Sequence, residues 1–529
     1  MSAESGTSVA MDAVPADTRR RTAALAGPLG LAAVVYGLLL IVGERLLNDP
    51  DTYWHIATGR WIWAHAAVPT TDPFSHTLPG APWLAHEWLS ELILAGAYGA
   101  LGWAGVVALA ALATAASLAL LLRALERFVR PTVALGATAM AFFLMAAHVT
   151  ARPHALALPI LVAWAAALVR ARDESRAPSL WFLPLMVLWA NLHGGFVVGL
   201  GLAGVLAVEA VMTARDGSER RAAALGWGRF VVGAALASLL TPQGIAGWWF
   251  PFKLMSLGFS LSFVGEWHAP ALALFEPLVL WLMALLVFAL GTGLRVPLFR
   301  VLMVAGLVAM ALSHTRNAEL LAMLAPLLVA ASLRCAQTEA SPLTQLRLSS
   351  LSLAKPPQPS SDDPLCGSPF GSRVAARPDD PQRGEGRVRG PLNLHVVLPA
   401  FIIAVTAAAS LHGYAHDNPA IAPAPALAAA RQAGLTGPVL NDYDFGGYLI
   451  FEGVAPFVDG RIDLYGDDFM RAYAAGLGAE DDALPTLLER YHIAWTLLKP
   501  GENAVGALDR DPGWERVYAD SSAVVHRRR

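Results

Sequence analysis

Long apolar runs separated by short polar gaps dominate this chain. Each run is far longer than an ordinary strand and close to the length that crosses a bilayer, so the pattern predicts membrane-spanning helices. The runs fall near residues 23–46, 92–122, 132–148, 155–169, 178–190, 196–214, 228–241, 273–291, 297–312, 318–333 and 394–412. The second has room for a surface helix plus a span, and 178–190 is short for a crossing. The expected fold class is a polytopic α-helical membrane protein of about 11 spans, with a small C-terminal extracytoplasmic α/β domain. Arg19, Arg20 and Arg21 precede the first run as they would in a signal peptide. That run has spanning length and no small-residue cleavage site follows, so it reads as a retained signal anchor.

Lysine and arginine bias orients the runs. Odd-numbered gaps carry few basic residues: Arg60, Arg152, none in 191–195, Lys253 and Arg316. Even-numbered gaps carry Arg123, Arg127 and Arg130, then Arg170, Arg172 and Arg176, then Arg215, Arg220 and Arg221, then Arg295 and Arg300. The arginine-rich N-terminus is therefore expected in the cytoplasm, in a multi-pass membrane protein. Residues 1–22 are expected to be disordered, followed by a transmembrane domain over 23–334 whose outer loop is 48–91. Residues 335–392, rich in Ser, Pro, Gly and Arg without apolar periodicity, are expected to be a disordered cytoplasmic linker. A last span at 393–413 leads to 414–529, placed outside. There, short apolar runs at Pro438–Leu440, Ala455–Val458, Ala494–Leu498, Arg516–Tyr518 and Ala523–His526 predict strands. Helical patterns at Asp467–Gly476, Ala483–Tyr491 and Ala504–Arg510 alternate with them, giving an α/β domain.

Composition sharpens the class: 529 residues are 55% hydrophobic and 15% charged, and a net charge of -3 gives no reason to expect a nucleic-acid partner. The two cysteines, Cys335 and Cys366, fall on the predicted inner side, where a structural disulfide is not expected. No HExxH, GxSxG or GxxxxGK[ST] pattern occurs, so zinc-protease, serine-hydrolase and P-loop chemistry are unsupported.

Candidate chemistry gathers in the first outer loop. Asn48–Glu91 holds Asp49, Asp51, Asp72, Glu87 and Glu91, four histidines, five tryptophans and one basic residue, Arg60. Tryptophan concentrates at the headgroup level, which places this loop on the bilayer surface. Asp49-Pro50 resembles an N-cap with proline at the first helical position of a helix over Asp51–Ala64. On it, Asp51 and His55 are four apart and share a face. A carboxylate kept charged beside a histidine suits a general base or a cation ligand. Asp72 can equally cap a turn, and Glu87 enters the second run, where a buried acid needs a partner. Arg152-Pro153-His154 and His314-Thr315-Arg316-Asn317 put arginine and histidine on the predicted outer side of two later spans. Two converging arginines would suit a phosphate or diphosphate, although ordinary span-end arginine gives the same spacing. In the outer domain, Asp442, Asp444, Asp459 and Arg461 lie in loops at strand ends, where α/β domains place ligands. Asp-Gly and Gly-Gly are also ordinary turn chemistry.

Residues 23–125 resemble the GT-C membrane glycosyltransferases, which include protein O-mannosyltransferases and lipid A aminoarabinose transferases. The resemblance rests on Asp49-Pro50-Asp51-Thr52-Tyr53-Trp54-His55-Ile56-Ala57, which keeps Asp, Tyr and Ala of an Asp-Glu-x-x-Tyr-x-x-x-Ala motif, and on Glu87, Val68-Pro69 and Leu101-Gly102. Pro50 stands where the motif has its second acid, with Asp51 displaced by one, so either aspartate fits the role of catalytic base. The resemblance implies sugar transfer from a polyprenyl-phosphate donor to a glycan, lipid or protein acceptor outside the cytoplasm. It implies Asp49, Asp51 and Glu87 as catalytic residues and His55, Asp72, Arg152, His154, His314 and Arg316 as substrate-binding residues. Asp442, Asp444, Asp459 and Arg461 would then meet the acceptor. No metal ligands are assigned, and a divalent ion is optional because arginines could neutralise the leaving phosphate.

Two other readings stand beside this one. A transporter or flippase for a lipid-linked solute would show paired repeats and broken spans. A non-catalytic membrane assembly protein would leave the loop acids scattered. The readings separate on whether Asp49, Asp51 and Glu87 meet Arg152 and Arg316 in one place.

Overall fold

The computed structural model describes residues 16–292, 295–339 and 394–529. Its larger part is a helical bundle: α1 (Ala16–Ile41), α2 (Gly43–Leu46), α3 (Asp51–His65), α4 (Trp88–Leu101), α5 (Trp103–Leu125), α6 (Pro131–Met145), α7 (Pro153–Asp173), α8 (Leu183–Leu192), α9 (Phe196–Met212), α10 (Gly217–Ser238), α11 (Ile245–Met255), α12 (Pro277–Thr292), α13 (Leu298–Ser313), α14 (Ala318–Glu339) and α15 (Leu394–His412). Every apolar run of the sequence holds a helix. Among the described residues, Trp103–Leu125, Pro131–His148 and Pro153–Asp173 are long and apolar enough to cross a membrane. The run at 92–122 divides at Gly102 into α4 and α5. Two expected boundaries move. The first helix begins at Ala16, inside the stretch expected to be disordered, and α14 continues to Glu339, past residue 335. The rest of the expected linker, with Cys366, lies outside the described residues.

The bundle centres on α5 and α7, whose small and branched side chains (Val106, Val107, Ala111, Ala165, Leu168) are buried together with Trp164. The Trp164 indole donates to Gly199 O at 3.0 Å, satisfying its N–H inside an apolar core. Large apolar side chains such as Ile41, Leu240 and Leu290 are exposed on the bundle's outside, as a lipid-facing surface requires. α15 returns the chain against α1, where the Tyr36 hydroxyl and Thr406 Oγ1 share a 2.5 Å hydrogen bond.

Beyond α15 the α/β domain holds α16 (Ala424–Gln432), β1 (Val439–Asn441), α17 (Gly446–Phe451), α18 (Ile462–Leu477), α19 (Ala483–Arg490), β2 (Trp495–Leu498), α20 (Asn503–Arg510), β3 (Trp514–Ala519) and β4 (Val524–Arg528). The sheet order is β1-β2-β4-β3, with β1 parallel to β2 and the other pairs antiparallel. Ala455–Val458, expected as a strand, joins no ladder. Pro456 has no N–H to give, and side chains take the neighbouring groups: Asn441 Oδ1 accepts from Phe457 N at 2.7 Å, and Asn441 Nδ2 donates to Val458 O at 2.8 Å.

The α/β domain sits on the loop 48–91. Its seat is a buried ion cluster in which Arg461 meets Asp72 at 2.7 Å and Asp459 at 2.7 Å, under the rings of Phe74 and Trp83. Tyr465 donates to the same Asp459 carboxylate at 2.6 Å. Nearby, Thr77 donates to Phe457 O at 2.8 Å and His76 Nε2 lies 2.9 Å from Val439 O.

Candidate active site

Short turns and helix starts at the domain-bearing end of the bundle supply the polar side chains. Proline at the first position starts α7, which leaves Arg152 at its cap. Glu87 holds the corresponding place before α4. Glu266 and Arg316 lie in single 3-10 turns, Gly265–Trp267 and Thr315–Asn317, and Thr315 Oγ1 donates to Glu266 O at 3.0 Å. At the start of α3, Asp49 Oδ1 accepts from the Asp51 N–H at 2.9 Å, so Asp49 does cap the helix and Pro50 stands between.

These elements bring the acids and the arginines together. Arg152 lies 3.3 Å from Asp49, 2.7 Å from Asp51 and 3.2 Å from Glu266. Arg316 reaches the other oxygen of Glu266 at 3.2 Å and stacks over Trp267. His314 packs edge-on against the same indole. Asp51 does not pair with His55 as the spacing predicts. Its second oxygen instead accepts from the Trp54 indole at 2.9 Å, and the α/β domain covers it. A Cβ on Gly460 would stand 1.9 Å from Asp51 Oδ1, so only glycine lets that loop close over the carboxylate.

His55 turns the other way, to Glu91 at 3.4 Å and Glu87 at 3.9 Å. Gly59 permits this, since a Cβ there would fall 2.0 Å from Glu91 O at the crossing of α3 and α4. Glu87 also has His193 at 3.4 Å and His86 at 3.6 Å. His154 pairs with Glu319 at 3.5 Å, its ring 6.3 Å from that of His193. Asn191 fixes the adjoining turn, accepting from the Trp88 indole at 2.8 Å and donating to Leu240 O at 2.9 Å. Among the described residues no group of three or more His, Cys, Asp or Glu is arranged as a metal site.

Burial sets the charge states. It pushes the Asp51 carboxyl up to about 7, against the pull of Arg152. It pushes Glu87 up to about 7 in the same way. Burial also disfavours the charged form of Glu266, but Arg152 and Arg316 outweigh it and hold that carboxyl down to about 2. Burial lowers His86 to about 4 and depresses His55 and His193, leaving all three neutral at pH 7. The site thus holds one permanently ionised acid between two guanidiniums and two acids poised to exchange protons near neutrality.

Asp72, Asp459 and Arg461 have no exposed side-chain surface and satisfy one another. Expected to meet substrate and acceptor, they are instead buried against one another at the seat of the α/β domain. Asp442 and Asp444 share Lys499, with Asp442 at 3.1 Å. Glu266, His86, His193 and Glu319 are site neighbours that motif spacing did not single out. The one sequence signal for them is their place at the predicted outer ends of spans.

No protein-family model and no curated protein matches the chain. Among solved structures it is similar to ArnT from Cupriavidus metallidurans bound to undecaprenyl phosphate, at 14% identity and a TM-score of 0.48, over 97% of this chain and 98% of that one. It is also similar to the apo state of that protein, at 15% identity and a TM-score of 0.46, over 93% of this chain and 97% of that one.

Proposed function

We propose that this chain is an integral membrane glycosyltransferase that moves a sugar from a polyprenyl-phosphate donor to an acceptor hydroxyl on the extracytoplasmic side. The observation that carries the reading is Arg152 joined to Asp49, Asp51 and Glu266, with Arg316 on the far side of Glu266. A guanidinium pair suits a phosphate, and an adjacent carboxylate that titrates near neutrality suits a general base.

In this mechanism the donor tail lies among the spans and its phosphate meets Arg152 and Arg316. Asp51 accepts the proton of the acceptor hydroxyl as its oxygen attacks the anomeric carbon. The bond from that carbon to the phosphate oxygen breaks, and polyprenyl phosphate leaves with the electron pair. One displacement with no enzyme nucleophile inverts the anomeric centre. Asp51 is assigned the base role because its buried carboxyl, beside Arg152, exchanges its proton near neutrality. Glu87, ringed by His55, His86 and His193, adjoins this centre and supplies a second proton-exchanging acid. The arginines carry the leaving phosphate's charge, so a divalent ion is not required.

Mass analysis of membrane lipids and surface glycans from cells with and without the protein tests the reading. A lost sugar modification together with an accumulated polyprenyl-phosphate sugar is expected. Unchanged lipids and glycans would contradict it.

A further inference from the structure

Glu266 stands between the two guanidiniums, one carboxylate oxygen on each at 3.2 Å. That is how two oxygens of a phosphate would sit between two arginines. Arg152 is already surrounded by three carboxylates, so an incoming phosphate would add a further negative charge to a compartment with little water to screen it.

The segment that leads into the Glu266 turn is anchored from outside the site. The Asp467 carboxylate, on α18 of the α/β domain, accepts from Gly258 N at 3.0 Å, Phe259 N at 3.0 Å, Ser260 N at 2.8 Å and Ser260 Oγ at 2.7 Å. Lys253 Nζ, just before this turn, reaches Asp463 O at 3.3 Å. Asp467 is bonded to none of the arginines or acids of the site, yet it holds residues 258–260, upstream of Glu266 on the same segment.

We infer that Glu266 is a built-in occupant of the phosphate position, displaced when a phosphate-bearing ligand binds Arg152 and Arg316, and that Asp467 is the positioning residue that latches it there. The inference rests on the proposed function for the identity of the site and adds a competition inside it. Ligand affinity is reduced by the fraction of molecules in which Glu266 holds both arginines. Weakening either Glu266 or its latch therefore raises affinity, which a loss of folding cannot do.

The test uses the full chain in lipid nanodiscs, with two probes measured separately: undecaprenyl phosphate and inorganic phosphate. Glu266→Gln is expected to bind at least one of them about tenfold more tightly than the native chain. Asp467→Ala, remote from the arginines, is expected to shift the same probe in the same direction. The probe that tightens identifies a lipid phosphate or a free one as the ligand. If the native chain binds a probe and both variants bind it equally or more weakly, the displacement model is overturned while the transferase reading stands. If neither native chain nor variant binds either probe, the displacement model and the phosphate site fall together.

Discussion

At the residue scale the chemistry turns on how unevenly burial acts on neighbouring carboxylates. Glu266, between two guanidiniums, stays ionised down to about 2, whereas Asp51 and Glu87 are pushed up to about 7. A protonated Asp51 cannot accept the acceptor's proton. The initial transfer rate should therefore rise about tenfold per pH unit below about 7 and level off above it. Glu87→Gln should keep that limb if Asp51 is the base, and a profile that turns flat in this variant would move the base to Glu87. The same raised values bear on stability with the opposite sense. A carboxyl whose folded-state pKa lies above its unfolded value favours the folded chain below the unfolded pKa, and that contribution is lost as pH rises through about 7. Several of these residues were legible beforehand. Asp49, Asp51 and Glu87 stand out by type and by their place just past an apolar run. The Asp51–His55 partnership did not form, because a shared helix face says nothing of the arginine that arrives from another helix.

α3 is pinned at its start by the Asp49 cap and at its crossing with α4 by Gly59, and the α/β domain lies over it through Gly460. The ion cluster Asp72–Arg461–Asp459 holds this seat. Asp72 also accepts from Phe74 N at 2.9 Å, so it both shapes its own turn and ties it to the domain. Asp72→Asn removes the charge facing Arg461, and a destabilisation of about 1–3 kcal/mol is expected. Thermal unfolding in detergent, read together with protease sensitivity of loop 48–91, checks this; unchanged values for both would remove the clamp. Helices were legible wherever an apolar run was long, since burial and span length both demand one. Four of the five expected strands formed. Ala455–Val458 did not, because apolar content predicts burial, whereas pairing needs backbone groups that Asn441 had already engaged. Asp459 and Arg461 were conspicuous in sequence by their charge, whereas their burial against each other and Asp72 was invisible there.

For the whole molecule, the arginine bias along the chain predicts which side the α/β domain occupies. Labelling intact cells that carry exposed Asp482→Cys with a membrane-impermeant maleimide should modify the α/β domain. Modification that appears only after lysis would place the domain inside. What the sequence could not convey was convergence. Asp49 and Arg152 are 103 residues apart, and Glu266 and Arg316 come from turns further on, so only the packing of the bundle brings them within ion-pair distance. The reading of scattered loop acids is not what this packing shows.

The central claim is that Asp51, held by Arg152, is the base of a sugar transfer. Its most direct test is transfer from a polyprenyl-phosphate sugar in proteoliposomes, comparing the native chain with Asp51→Asn and Asp49→Asn. A fall of roughly 10²–10⁴-fold is expected for Asp51→Asn, with a smaller loss for Asp49→Asn. Full activity in both variants would contradict the account.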